Sequence, residues 1–233
     1  MMLESILRNP LDSLALAYFL VGWVLFAQAT QGRLFSRPTL TSAMNREREA
    51  WMRTMAKRDL RMIDTGIMMG LQQGTAFFAS SALLALGGCF ALLGSTDQVI
   101  AVLGDLPTTS EVARPAFEAK VLGLAGVLAY AFFKFGWAYR LFNYCSILIG
   151  AVPMARVDTA NEAEIERAVL RAAKMNQLGG KHFNAGLRAI FFALGYLGWF
   201  VGPWFFIATT SFTLFVLVRR QFFSAARDVV IGA

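Results

Sequence analysis

The chain has 233 residues, 57% hydrophobic and 16% charged, against roughly 45–50% and about 25% in an ordinary soluble domain. This balance, with a mean hydropathy of +0.52, excludes disordered, collagen-like and disulfide-scaffold classes. It also exceeds what one small core could hide from water, so the class is an integral membrane protein. The net charge of +7 would suggest nucleic acid in a soluble protein. In a membrane protein it points to basic loops facing anionic lipid, and no nucleic-acid partner is expected.

Residues 1–10 carry Glu4 and Arg8 and lack the basic start of a cleavable signal, so the apolar run after them reads as a retained helix. A spanning helix needs about 20 apolar residues for roughly 30 Å of hydrocarbon. Four segments qualify: 11–29, 67–93, 121–152 and 189–218. Ahead of the second, Met44, Trp51, Met55 and Met62 recur at amphipathic spacing and predict a helix over 42–66. The third run overshoots the hydrocarbon. Its end, 141–152, is apolar and needs cover from that amphipathic helix or from the segment Phe183 to Gly195. Residues 159–178 read as a further helix, capped by Asp158 or Thr159 and stopped by Gly179–Gly180.

The fourth run carries no charge, and Pro203 inside it predicts a kink. Cutting it in two would leave pieces of about 15 residues, too short to cross, so it reads as one long helix. The tail, with Phe222, Phe223, Ala226 and Val230 on one face, reads as interfacial. The expected architecture is one all-α membrane domain over 1–233: four transmembrane helices with cytoplasmic helical extensions.

Basic residues orient it. Loop 30–66 holds Arg33, Arg37, Arg46, Arg48, Arg53, Lys57, Arg58 and Arg61; loop 153–188 holds Arg156, Arg167, Arg171, Lys174, Lys181 and Arg188. Fourteen basic residues there outweigh three in the N-terminal segment and the acidic second loop (Asp97, Asp105, Glu111, Glu118). Loops 30–66 and 153–188 are therefore expected in the cytoplasm, with the N-terminus outside. Four crossings then leave the C-terminus outside, against the sense of Arg219, Arg220 and Arg227.

Gly66, Gly70 and Gly74 form a smooth small-residue stripe, suited to packing against the third helix or to self-association. Lys134 and Arg140 interrupt an apolar run, where a charge is costly and normally faces a bundle interior or water. They lie about 120° apart around the helix. By depth, Arg140 is level with Asp64, Gln72 and Gln73, with Asn143 and Tyr144 just beyond. An ion pair of Arg140 with Asp59 or Asp64 and a polar intramembrane path are both open readings. Cys89, Cys145 and the lone His182 are too few for a zinc site or a disulfide framework. No HExxH, GxGxxG or P-loop pattern occurs. No metal, cofactor or enzymatic activity is expected.

The segments WMRTMAKRDLRMID, FFASSALLALGG, YAFFKFGWAYRLFNYCSILIGAVP and AGLRAIFFALGYLGWF resemble the bacterial and plant membrane family catalogued as domain of unknown function five-nine-nine. The resemblance covers about residues 10–228. It implies a four-helix protein of the bacterial inner membrane and supplies no activity; Lys134, Trp137, Arg140, Asn143 and Tyr144 match its KFxWxxRxxNY block. Two functions are expected from the residues: a homo-oligomeric channel or transport-type protein for small ions or solutes, or a non-catalytic scaffold docking a membrane-complex partner through its cytoplasmic helices. Besides the lipid bilayer, the expected partners are a second copy of the chain or that partner protein.

Overall fold

A computed structural model of the chain describes residues 9–30, 38–104, 113–154 and 161–232. Arg33, Arg37, Asp105, Glu111, Arg156, Asp158 and Thr159 lie outside the described residues, as do Glu4 and Arg8. Every regular element among the described residues is helical: α1 (Pro10–Thr30), α2 (Leu40–Ala56), α3 (Met62–Gly94), α4 (Thr96–Gly104), α5 (Arg114–Gly150), α6 (Glu162–Tyr196), a 3-10 turn (Leu197–Phe200), α7 (Pro203–Phe222) and α8 (Ala225–Ile231). Three helices, α1, α3 and α5, are long and apolar enough to cross a membrane. Their outward faces are apolar too: Leu14, Val24, Phe77, Leu84, Phe90 and Phe133 are exposed, a belt that suits lipid and not water.

α5 is the central helix, packed between α3 and α6. One core joins α1, α5, α6 and α7 through Phe19, Phe117, Leu128, Phe192, Tyr196, Trp199 and Phe206. Trp199 stacks on Phe206 at 4.9 Å, and Trp23 stacks on Phe192 at 4.8 Å.

The run 189–218 is not one kinked helix. α6 ends at Tyr196, the chain turns, and α7 starts at Pro203, where a missing amide N–H costs nothing. The two helices run antiparallel: Gly198 faces Thr209, and Gly195 faces Thr213. The length objection fails because α6 is continuous from Glu162 and draws the rest of its length from upstream sequence. Gly179 and Gly180 do not stop it. They are sites of close approach, since a Cβ on Gly179 would meet the Phe142 ring at 2.7 Å and one on Gly180 the Arg48 guanidinium at 2.7 Å.

The hairpin gives the bundle two distinct ends. At the far end Lys120 donates to the Trp199 carbonyl at 2.9 Å and lies 3.7 Å from Asp12, which accepts the Trp199 indole N–H. Arg114 pairs there with Asp97 and Glu118. At the other, basic end, the close of α7 meets the start of α2 through Gln221 and Thr41 (2.6 Å), and Arg227 donates to the Pro38 carbonyl at 2.9 Å. The tail is thus helix α8, docked on α2 by a buried Arg227.

Beyond the basic end a second core covers the overrun of α5. Phe142, Cys145 and Ile149 pack against Met52 and Met55 of α2 and Val169, Ala172 and Ala173 of α6. The amphipathic segment 42–66 supplies part of that cover, but it is two helices, broken at 57–61. Arg61, the last residue of the break, donates to the carbonyls of Ile149 (2.8 Å) and Val152 (2.6 Å) where α5 ends, and Ile149 also accepts from the Val152 N–H at 3.4 Å. The other part comes from residues 168–173 of α6, and of the expected 183–195 cover Phe183 packs against this core. α6 begins one turn later than the sequence suggests, capped by Asn161.

Candidate functional site

The predicted polar residues do not form one path. Asp64, fully buried, accepts from Arg58 at 2.5 Å and from the Trp51 indole at 2.7 Å, so of the two carboxylates considered for Arg140 this one is taken by α2 and its following loop. Arg140 is exposed and donates instead to the Tyr144 hydroxyl at 2.6 Å. Gln72 donates to Ser146 at 3.1 Å, and Gln73 is exposed. Asn143 is half-buried. Lys134 rests its ammonium 5.1 Å from the Tyr130 ring centre, near His182, whose ring meets Trp137. Gly66, Gly70 and Gly74 do not pack against α5. All three face outward, and an added Cβ would meet nothing within 4 Å.

A different group of charges does converge. A cavity of about 230 Å³ opens at the basic end between the close of α1, the start of α2, the middle of α6 and the close of α7. Arg48, Arg188 and Arg220 line it, with Thr30 and Asn184, and Phe26, Leu187, Phe191 and Leu217 form its apolar wall. Each arginine has a local reason to be there. Arg48 lies over Gly180, where only a glycine leaves room for its guanidinium, and it donates to Asn45 at 3.0 Å. Arg220, on the last turn of α7, sits 5.4 Å from the Phe191 ring centre. Arg188 stands two turns beyond Gly180 on α6, and its Nε is buried with no acceptor.

Among the described residues, no acidic side chain lines this cavity. Burial pulls the Arg48 guanidinium below its ordinary value, yet an arginine stays charged at neutral pH. Arg48 and Arg188 are half-buried and Arg220 is exposed, and cations withdrawn from water are normally paired. Three guanidiniums facing one space without a carboxylate present a set of unused donors whose planar forks match carboxylate or phosphate oxygens.

The sequence placed Arg48 and Arg188 in basic loops as orientation markers, and nothing in their spacing brings them together. The one local signal was Gly180, read there as a helix stop.

With this geometry in hand, the chain's relationships are clear. It belongs to the family described as protein of unknown function, DUF599, whose sequence profile matches residues 14–226 and so includes every residue of the cavity. No curated protein and no solved structure matches the chain.

Proposed function

We propose that the chain is a transport-type membrane protein for an anionic substrate, received at the basic end. The supporting observation is the convergence of Arg48, Arg188 and Arg220 on one cavity with no carboxylate among its lining residues. Arg48 and Arg188 are half-buried and Arg220 is exposed at the rim, and a structural cluster of partly buried arginines would draw acidic partners. Lys134, near His182 and without a salt bridge among the described residues, is a further cation outside the cavity lining.

In this reading the membrane is crossed five times and not four: by α1, α3 and α5, by the second half of α6, and by α7. Arg219, Arg220 and Arg227 then fall on the same side as Arg48, Arg58 and Arg61, which removes the conflict of the four-span topology. The basic end is cytoplasmic, the N-terminus lies outside, the C-terminus lies inside, and the membrane is the bacterial inner membrane. Self-association uses the outward glycine face of α3, where backbones can approach closely.

The test is transbilayer movement in proteoliposomes, using inorganic phosphate and a fluorescent anionic lipid as substrates. Movement of either, lowered by Arg188→Gln, is the expected result. Vesicles that stay tight to both refute the proposal. A second reading, a non-transporting accessory subunit, draws on Leu60, Met62 and Ile63, which are exposed at the start of α3. It requires a co-purifying partner after gentle extraction.

A further inference from the structure

The cavity is amphipathic in a fixed direction. Asp12, Lys120 and Trp199 mark the far end. Thr30 lies 18 residues beyond Asp12 along α1, and Arg220 lies 17 beyond Pro203 along α7. At 1.5 Å per residue these are about 27 Å and about 26 Å, close to the roughly 30 Å of a hydrocarbon core. Thr30 and Arg220 therefore sit at the level of lipid headgroups, and Arg188, 11 residues before Trp199 and about 17 Å from the far end, lies deeper along the same opening.

Leu40 and Met44 of α2 line the outer part of the cavity, while on α1, α6 and α7 an apolar side chain lies about one turn closer to the bilayer centre than the polar group. Phe26 precedes Thr30 on α1, Leu217 precedes Arg220 on α7, and Phe191 follows Arg188 on α6, which runs toward the far end. A ligand that fits has a charged head at the border and an apolar body running inward.

The charge of the head follows from the donors. A phosphodiester carries a single negative charge, whereas a phosphate monoester carries about −1.5 to −2 at neutral pH and offers three strong acceptor oxygens. Three guanidiniums with no carboxylate in the lining favour the second. Arg188 Nε, buried without an acceptor, is a donor such a head would satisfy.

We infer that this cavity binds the phosphate-monoester head of a membrane amphiphile, held by Arg48, Arg188 and Arg220 against the wall of Phe26, Phe191 and Leu217. The inference rests on the proposed anion-handling role and names its substrate class.

The experiment is calorimetric titration of the full chain in maltoside micelles with three probes: short-chain phosphatidic acid, short-chain phosphatidylglycerol and inorganic phosphate. Phosphatidic acid is expected to bind saturably, about tenfold or more tighter than either other probe. Arg188→Gln should weaken it at least tenfold, and Arg220→Gln, at the exposed rim, should weaken it without risk to the fold. Arg219→Gln, a neighbour outside the cavity, should leave it unchanged. Equal binding of phosphatidylglycerol, or unchanged affinity in both Arg188→Gln and Arg220→Gln, overturns the site. Inorganic phosphate binding as tightly as the lipid overturns the amphiphile. Tight monoester binding without transbilayer movement sinks the transport reading and leaves this site standing. Movement indifferent to the headgroup does the reverse.

Discussion

The hairpin of α6 and α7 is the feature on which the topology turns, and one pair of glycine substitutions tests it with opposite signs. A Cβ added at Gly198 would lie 2.3 Å from Thr209 Oγ1, 2.9 Å from Thr209 Cγ2 and 2.9 Å from the Phe205 carbonyl oxygen. Thr209 cannot swing away freely, because its hydroxyl donates to the Gly195 carbonyl at 2.6 Å and lies 2.9 Å from that of Phe205. Overpacking of this kind costs about 1–3 kcal/mol, and a lost hydrogen bond adds about 1 kcal/mol. Gly198→Ala should therefore lower stability by roughly 2–4 kcal/mol. Gly70→Ala makes the same chemical change inside α3 with nothing within 4 Å in the protomer, and in detergent-dispersed monomer, where the glycine face of α3 meets no second copy, should raise helix stability by about 0.8–1 kcal/mol. The assay is thermal and denaturant unfolding of both variants in one detergent. Adding Thr209→Ala to Gly198→Ala should recover part of the loss, since the contact with the Phe205 carbonyl remains. If Gly198→Ala matches the wild type, α6 and α7 do not meet at this position and the folded-back arrangement of 189–218 is wrong.

Asp64→Ala removes the acceptor shared by Arg58 and Trp51 at a fully buried position. It should cost about 3 kcal/mol, seen as an earlier unfolding midpoint; a neutral result would mean that Arg58 and Trp51 find other acceptors. Lys134→Met should change stability by no more than about 1 kcal/mol, because the ammonium only rests on the Tyr130 ring; a large drop would reveal a buried partner. In a background without Cys89 and Cys145, a cysteine at Ser224 should react with an impermeant maleimide only from the cytoplasmic side, and one at Gly202 only from outside. Labelling of both from one side would rule out a crossing by α7.

How much of this was legible follows from the range over which each signal acts. Apolar runs of about 20 residues announce spanning helices without help from neighbours, and α1, α3 and α5 appear where the hydropathy put them. The overrun of α5 was also visible, because an apolar end has to be covered, and Met52 and Met55 do cover it. Pairings were a different matter. Asp64 has Arg58 six residues away and Arg140 seventy-six away, and depth alone favoured the distant one. The break at 57–61 turned Arg58 back onto Asp64 and sent Arg61 to the end of α5. The glycines misled in both directions. Gly66, Gly70 and Gly74 were regular and pack against nothing within the chain, whereas Gly179 and Gly180 resembled a stop and instead admit a Phe ring and a guanidinium.

The tri-arginine cavity could not have been read from spacing, because its members lie on α2, α6 and α7 and meet only after the chain has folded back. The same reversal also resolves the charge anomaly of the tail. A single long fourth helix carries Arg219 and Arg220 to the far side, away from the other arginines. A turn at 197–202 carries them to the side of Arg48 and Arg188. The segment at Pro203 therefore matters beyond a local bend: with a kink there, the basic residues of α7 would stand apart from the other arginines, and with a turn Arg220 lines one cavity with Arg48 and Arg188, the proposed anion site. The labelling of Gly202 and Ser224 from opposite sides and the weakening of phosphatidic acid binding in Arg220→Gln are thus linked outcomes. If α7 does not return to the basic end, Arg220 cannot reach the cavity, and its substitution has no effect on that ligand.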